Sequence, residues 1–134
     1  MNIYLIDACA LIAYLSDEPG ADRAKEIIFD ENSLIFMHKA NLLEVYYGIL
    51  KEDGENIADL ILEKIRNLPI EIIDNIDDVS FKESARIKNK YKISLADCIL
   101  LGEAKSNDYI VITADHHEFD IIDKDKILDF YWIR

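Results

Sequence analysis

Cysteine is scarce in this chain of 134 residues: there are two, Cys9 and Cys98, far apart and each inside an apolar segment. That excludes a disulfide framework and matches no zinc-ligand spacing, so a reducing cytoplasm is the expected setting. Two prolines and four glycines, beside 51% hydrophobic and 31% charged residues, exclude a collagen-like or disordered chain. A long uninterrupted hydrophobic run is also missing. The apolar start, MNIYLIDACALIAYL, carries Asp7 in its middle and has no basic leader, which fits neither a signal peptide nor a membrane span. Positive charge is in deficit, with 15 Lys and Arg against 27 Asp and Glu and a net charge of −12. Broad attraction to phosphate backbones is thereby excluded, and any nucleic-acid activity has to be local. One stretch runs against this balance: in FKESARIKNKYK, Phe81 to Lys92, the cations Lys82, Arg86, Lys88, Lys90 and Lys92 face the lone Glu83. A solvated helix face and a phosphate-tracking surface both account for it.

What is present suits one globular domain spanning 1–134, long enough to bury a core without a staple. Five short runs read as strands: Ile3 to Ile6, Leu34 to Met37, Ile70 to Ile73, Tyr109 to Thr113 and Leu128 to Ile133. The first four are nearly continuous in apolar residues, as parallel strands covered on both faces are. Between the runs, Ala21 to Phe29, Ala40 to Leu50, Ile57 to Ile65, Val79 to Tyr91 and Leu95 to Lys105 carry apolar residues at helical spacing. Alternating strands and helices predict an α/β layer fold with right-handed crossovers. No repeat or linker divides the chain, although the helix pair before Pro69 has room to protrude from the sheet.

Four acids stand in positions that call for a reason. Asp7 follows the strand YLI and Asp115 follows IVITA, so both emerge at one sheet edge if their strands are neighbours. Either alone also reads as a helix cap or turn acid. Glu44 lies in ANLLEVYYGIL with the small residues Ala40 and Gly48 one turn away, which leaves room for a ligand on its face. Asp97 sits in LADCILLGEA, apolar almost all round, where a carboxylate needs a partner; Ser94 supplies the innocent one as a capping-box pattern. Four converging anions would repel by about 4 kcal/mol per close pair at an effective dielectric near 20, and a cation would offset this. All-oxygen ligation points to Mg²⁺ or Mn²⁺.

In these four segments, YLIDACALIAYL, NLLEVYYG, ISLADCILL and VITADHHEFD, the chain resembles the PIN-domain nucleases, and especially the VapC-like toxins of toxin-antitoxin pairs. The resemblance covers essentially the whole chain. It implies a PIN-like three-layer α/β/α sandwich with a parallel five-stranded sheet in 3-2-1-4-5 order. Asp7, Glu44, Asp97 and Asp115 would be catalytic and would gather around one or two divalent ions. It further implies endonucleolytic RNA cleavage leaving 5′-phosphate and 3′-hydroxyl ends, a homodimer, and silencing by a protein antitoxin. Leu11, Ile12, Leu15, Tyr46, Tyr47 and Leu50 supply apolar surface for such a partner. One departure is Ala8 and Cys9, where the family usually has hydroxyl residues after its first aspartate; Thr113 fits the family's T-x-D pattern. His116, His117 and Asp120 beside the last acid either touch metal-bound water or substrate or are solvated loop positions, and the cysteines receive no chemistry.

Other readings are weaker. A dehalogenase-like phosphatase wants a second aspartate where this chain has Cys9, and a receiver domain wants paired acids where Asp7 stands alone. A metal-independent ribonuclease would use His38 with His116 or His117 as acid and base and leave cyclic phosphate ends. A stand-alone RNA-processing enzyme and a catalytically silent binding module complete the alternatives.

Overall fold

The computed structural model describes residues 1–134. The chain runs β1 (Asn2–Ile6), α1 (Ala8–Leu15), α2 (Ala21–Ile28), β2 (Ser33–His38), α3 (Lys39–Asp53), α4 (Glu55–Arg66) and β3 (Glu71–Ile73). It continues with α5 (Asp78–Lys90), α6 (Leu95–Asn107), β4 (Ile110–Thr113), α7 (His116–Lys124) and β5 (Phe130–Trp132). All five strands pair in parallel in the order β3-β2-β1-β4-β5. No helix is long and apolar enough to cross a membrane.

The apolar strand runs reflect two covered faces. Along β1, Tyr4 and Ile6 point into one core with Ala10 and Leu11 of α1, Ile27 of α2, Leu42 and Val45 of α3, and Ile65 of α4. Leu5 points the other way, against Ile87 of α5, Leu100 and Leu101 of α6, and Phe119 and Ile122 of α7. This period-two alternation inside an all-apolar run is what a central parallel strand needs. Each large side chain so buried contributes roughly 1.5–3 kcal/mol, more than a helix cap does, so the sheet faces dominate stability. The pair α3 and α4 does not stand clear of the sheet, because α4 buries Ala58 and Ile65 and Ile65 joins the strand residues in the first core.

Two helices were not read from the periodicity. In α1, ACALIAYL is apolar on every side and shows no stripe; α7, HHEFDIIDK, is short and polar apart from Phe119, Ile121 and Ile122. Both begin at one of the strand-end acids, which caps them.

Gly102 sets how closely α5 and α6 approach. A Cβ there would collide with Ser84 Oγ and stand 2.7 Å from Ser84 N. The contact is stitched by buried polar groups: Ser80 Oγ donates to Glu103 Oε2 (2.8 Å) and Ser84 Oγ to the Ser80 carbonyl (2.7 Å). Gly102→Ala is therefore expected to destabilise by about 1–3 kcal/mol through overpacking, despite alanine's better helix propensity. Thermal denaturation checks this; an unchanged or raised melting temperature would show that α5 can retreat without loss.

Candidate active site

A switch point lies between β1 and β4, because the chain builds leftward from β1 to β3 and then crosses to β4 on the other side. Crevices beyond the carboxyl ends of parallel strands form at such points. Here a cavity of about 300 Å³ is lined by Asp7, Ala8, Cys9, Ile12, Glu18, Glu44, Asp97 and Asp115. All four acids singled out in the sequence thus meet in one place, from four separate segments.

Asp7 is 3% exposed and caps α1: its Oδ1 accepts from Ala10 N at 2.7 Å, and its Oδ2 accepts from the Thr113 hydroxyl. Burial pushes its pKa up to about 7; the two hydrogen bonds oppose the rise, and the charges of Asp97 and Asp115 add to it. Thr113 has a second role. Its Oγ1 accepts from Asp115 N at 3.0 Å, so one buried hydroxyl ties both strand-end acids together. Asp115 in turn caps α7, Oδ1 accepting from Glu118 N at 3.1 Å. Capping and site geometry are one arrangement at these two residues, since each helix begins where its strand ends.

Asp97 stands in the first turn of α6. The cap is made by Ser94, whose Oγ accepts from Asp97 N at 3.1 Å. The reciprocal bond of a capping box, from Ser94 N to the Asp97 carboxylate, is absent, so the carboxylate stays available to the cavity. Its pKa is raised to about 6 by burial first and the Glu44 charge second, with the Ser94 hydroxyl opposing. Glu44, on the solvent-open side of α3, accepts from Asn41 Nδ2 at 3.2 Å. Partial desolvation raises its pKa, Asn41 opposes this, and the Asp115 charge adds. Asn41 is fully buried and its Oδ1 has no hydrogen-bond partner. Gly48, expected to make room beside Glu44, instead lines a neighbouring apolar groove.

Glu18 was missed. It lies in the turn after α1, where nothing in the sequence distinguishes it from a solvated turn acid, and its Oε1 stands 3.5 Å from Arg134 Nη1. Cys9 lines the cavity as a neutral thiol, its pKa pushed to about 11 by burial and the Asp7 charge. The histidines are elsewhere engaged. His38 is buried, its Nδ1 accepting from Ala40 N (3.0 Å) while Nε2 faces the Asn75 carbonyl (3.1 Å), which makes Nε2 the protonated nitrogen. His116 bonds Asp120 and the Arg134 carbonyl and stacks on Trp132, and the His117 side chain is 94% exposed. None of the three lines the cavity.

As the side chains stand, no three His, Cys, Asp or Glu groups converge tightly enough to share an ion. The donor set nevertheless fits a hard divalent cation: Asp7, Glu44, Asp97 and Asp115, with Glu18 beside them, line a cavity roomy enough for a hydrated ion, and neighbouring carboxylate charges help to raise the pKa values of Asp7, Glu44 and Asp97.

Thr113→Val keeps shape and burial but removes the hydroxyl that bridges Asp7 and the backbone of Asp115. Loss of an outer hydrogen bond of this kind typically costs about 10–100-fold in metal affinity, so a fall of about that size in the affinity of the cavity for Mn²⁺ is expected. Titration calorimetry checks it, and an unchanged affinity would show that the bridge only serves folding.

A parallel sheet that reverses direction at β1 and β4, with a carboxylate-lined cavity above the switch point, marks a doubly wound α/β protein. The profile of the PIN domain family matches residues 4–125, and the chain belongs to that family, the one its four acidic segments resemble. No curated protein matches the sequence. Among solved structures, a chain of a toxin-antitoxin complex from Klebsiella pneumoniae is 25% identical, with a TM-score of 0.65 over 87% of this chain and 89% of that one. A chain of DNA-bound VapBC from Salmonella typhimurium is 16% identical, with a TM-score of 0.77 over 100% of both. VapC20 of Mycobacterium tuberculosis, a sarcin-ricin loop cleaving toxin, is 9% identical, with a TM-score of 0.62 over 82% of this chain and 87% of that one.

Proposed function

We propose that this protein is a divalent-metal-dependent endoribonuclease of the VapC-like toxin kind, hydrolysing RNA to 5′-phosphate and 3′-hydroxyl ends. The observation that carries the reading is the convergence of Asp7, Glu44, Asp97 and Asp115 in one cavity at the sheet's switch point. Bound Mg²⁺ or Mn²⁺ would supply Lewis-acid stabilisation of the phosphate and a lowered pKa for the attacking water. The chain's own residues divide the remaining work. Asp7 has both oxygens fixed, by Ala10 N and Thr113, and serves as the oriented ligand. Asp97 and Glu44, with raised pKa values, are suited to take the proton from water as it attacks phosphorus. Ala8 and Cys9 give the cavity no hydroxyl beside Asp7, which makes Thr113 the oxygen donor that holds the site.

The toxin reading is supported by a groove of about 380 Å³ between α1, α3 and α4, lined by Ile12, Leu15, Val45, Ile49, Ile57 and Ile61 among others. Of the apolar residues expected to serve a partner, Leu11 is fully buried core, Tyr46 bonds Asp59, and Tyr47 and Leu50 are exposed. Ile12 lines both groove and acidic cavity, so an antitoxin segment lying in the groove would reach the acids with a Lys or Arg.

Incubating the purified protein with RNA, with and without EDTA, and mapping product ends tests the chemistry. Chelator-resistant cleavage giving cyclic phosphates would overturn it in favour of the histidines. Co-purification with the product of an adjacent small gene, with light scattering for the expected homodimer, tests the partner; a protein that stays monomeric and uninhibited is a stand-alone processing enzyme.

A further inference from the structure

We infer that Asn41 is a positioning residue: from the buried start of α3, its side-chain amide holds the Glu44 carboxylate in the orientation in which the cavity takes a cation. This rests on the metal-dependent nuclease reading above and adds the residue that orients one of its ligands.

Glu44 needs such a partner more than the strand-end acids do. Asp7 and Asp115 each stand at the start of a helix, where backbone N–H groups are free to hold a carboxylate, and Ala10 N and Glu118 N do so. Glu44 lies in the second turn of α3, past the helix start, where backbone N–H groups already serve the helix. Only a side chain can fix it there. Its own chain is long, flexible and exposed, so without a partner it would lose much rotamer freedom on ligating an ion. Residue 41 is one turn back on the same face, and Asn41 Nδ2 donates to Glu44 Oε1 at 3.2 Å.

The amide is otherwise out of place. Asn41 is 0% exposed, and its neighbours along α3, Leu42 and Val45, are packed in the first core. A carboxylate can only accept, so the nitrogen must be the end that faces Glu44 and the carbonyl oxygen the other. That oxygen, Oδ1, has no hydrogen-bond partner. A buried acceptor without a donor costs stability, and asparagine is a poor helix former, so the fold by itself favours an apolar residue here. What the amide supplies is the bond to Glu44. The start of α3 is a firm base for it: His38 Nδ1 caps the helix through Ala40 N, and Nε2 ties it to the Asn75 carbonyl.

Calorimetric titration of the full-length protein with Mn²⁺, beside thermal melting without metal, tests this on wild type, Asn41→Ala, Glu44→Ala and the double variant. Asn41→Ala is expected to weaken Mn²⁺ binding about tenfold while leaving the melting temperature of the metal-free protein unchanged or raised. On top of Glu44→Ala, the same change is expected to weaken Mn²⁺ binding by less than about twofold, because the side chain through which Asn41 acts is gone. Asn41→Leu, branched at the same carbon and without a donor, repeats the measurement if the alanine variant unfolds. An affinity equal to wild type in Asn41→Ala overturns the proposal. So does a loss of the same size without the Glu44 side chain, since the amide would then not act through it. A large fall in melting temperature in both the alanine and the leucine variants overturns it as well, because the amide would be serving the fold. The two readings fail separately. A wild type that takes up no Mn²⁺ sinks the metal-dependent reading and this role with it, whereas Mn²⁺ bound equally by wild type and Asn41→Ala sinks the positioning role alone.

Discussion

Asp97→Asn is expected to lower RNA cleavage by about a hundredfold or more while leaving the melting temperature unchanged or slightly higher. The stability half follows from the cap. Ser94 Oγ holds the backbone N–H of residue 97, which the substitution retains, and no backbone group bonds the carboxylate itself. Its pKa, raised to about 6 by burial and the Glu44 charge, means that the ionised form costs stability near neutrality, and asparagine removes that charge. The activity half follows from the same charge, which a cation in the cavity needs. Kinetics and thermal melting on one preparation separate the roles: full activity would remove Asp97 from the site, and a large fall in melting temperature would make it a structural residue.

The acidic cavity should also make stability depend on pH and on divalent ions in a linked way. Asp7 is buried with a pKa of about 7 against an ordinary 3.8, so between those values the folded protein holds a proton that the unfolded chain has released. Stability then falls as pH rises through this window, by an amount on the order of 4 kcal/mol for Asp7 in the metal-free protein. Asp97 acts in the same direction up to about pH 6. A divalent cation competes for the same carboxylates, so Mn²⁺ is expected to raise the melting temperature more near pH 8 than near pH 5, where protons already occupy them. Melting curves with Mn²⁺ and with EDTA at the two pH values read this without any activity assay. An equal shift at both, or none at either, would mean that the cluster does not take up an ion.

Much of the architecture was legible because its causes are local. A strand buried on both faces must be apolar throughout, and the first four of the five short runs announced themselves in that way. Asp7, Asp97 and Asp115 stood out because a carboxylate at a strand's end or in an apolar helix has few cheap explanations. The helices α1 and α7 were hidden for opposite reasons: one has too many apolar residues to show a stripe and the other too few. Along α3, local spacing identified the apolar residues but not which would be covered, so Leu42 and Val45 went to the core while Leu43 and Tyr47 stayed exposed.

Period, propensity and charge are properties of neighbouring residues, so the five strands, the helices α2 to α6, the acids at the strand ends and the patch of cations in an acidic chain could all be read along the sequence. Tertiary structure alone decided that β1 and β4 are neighbours, which places Asp7 beside Asp115 and lets one hydroxyl, Thr113, hold both. It also brought Glu18 to the cavity, joined the apolar groove to the acids through Ile12, and set Leu95 and Asp97 in different clefts. These relations link residues far apart in the chain, and which of them meet depends on how the sheet is wound, a choice that no local pattern encodes.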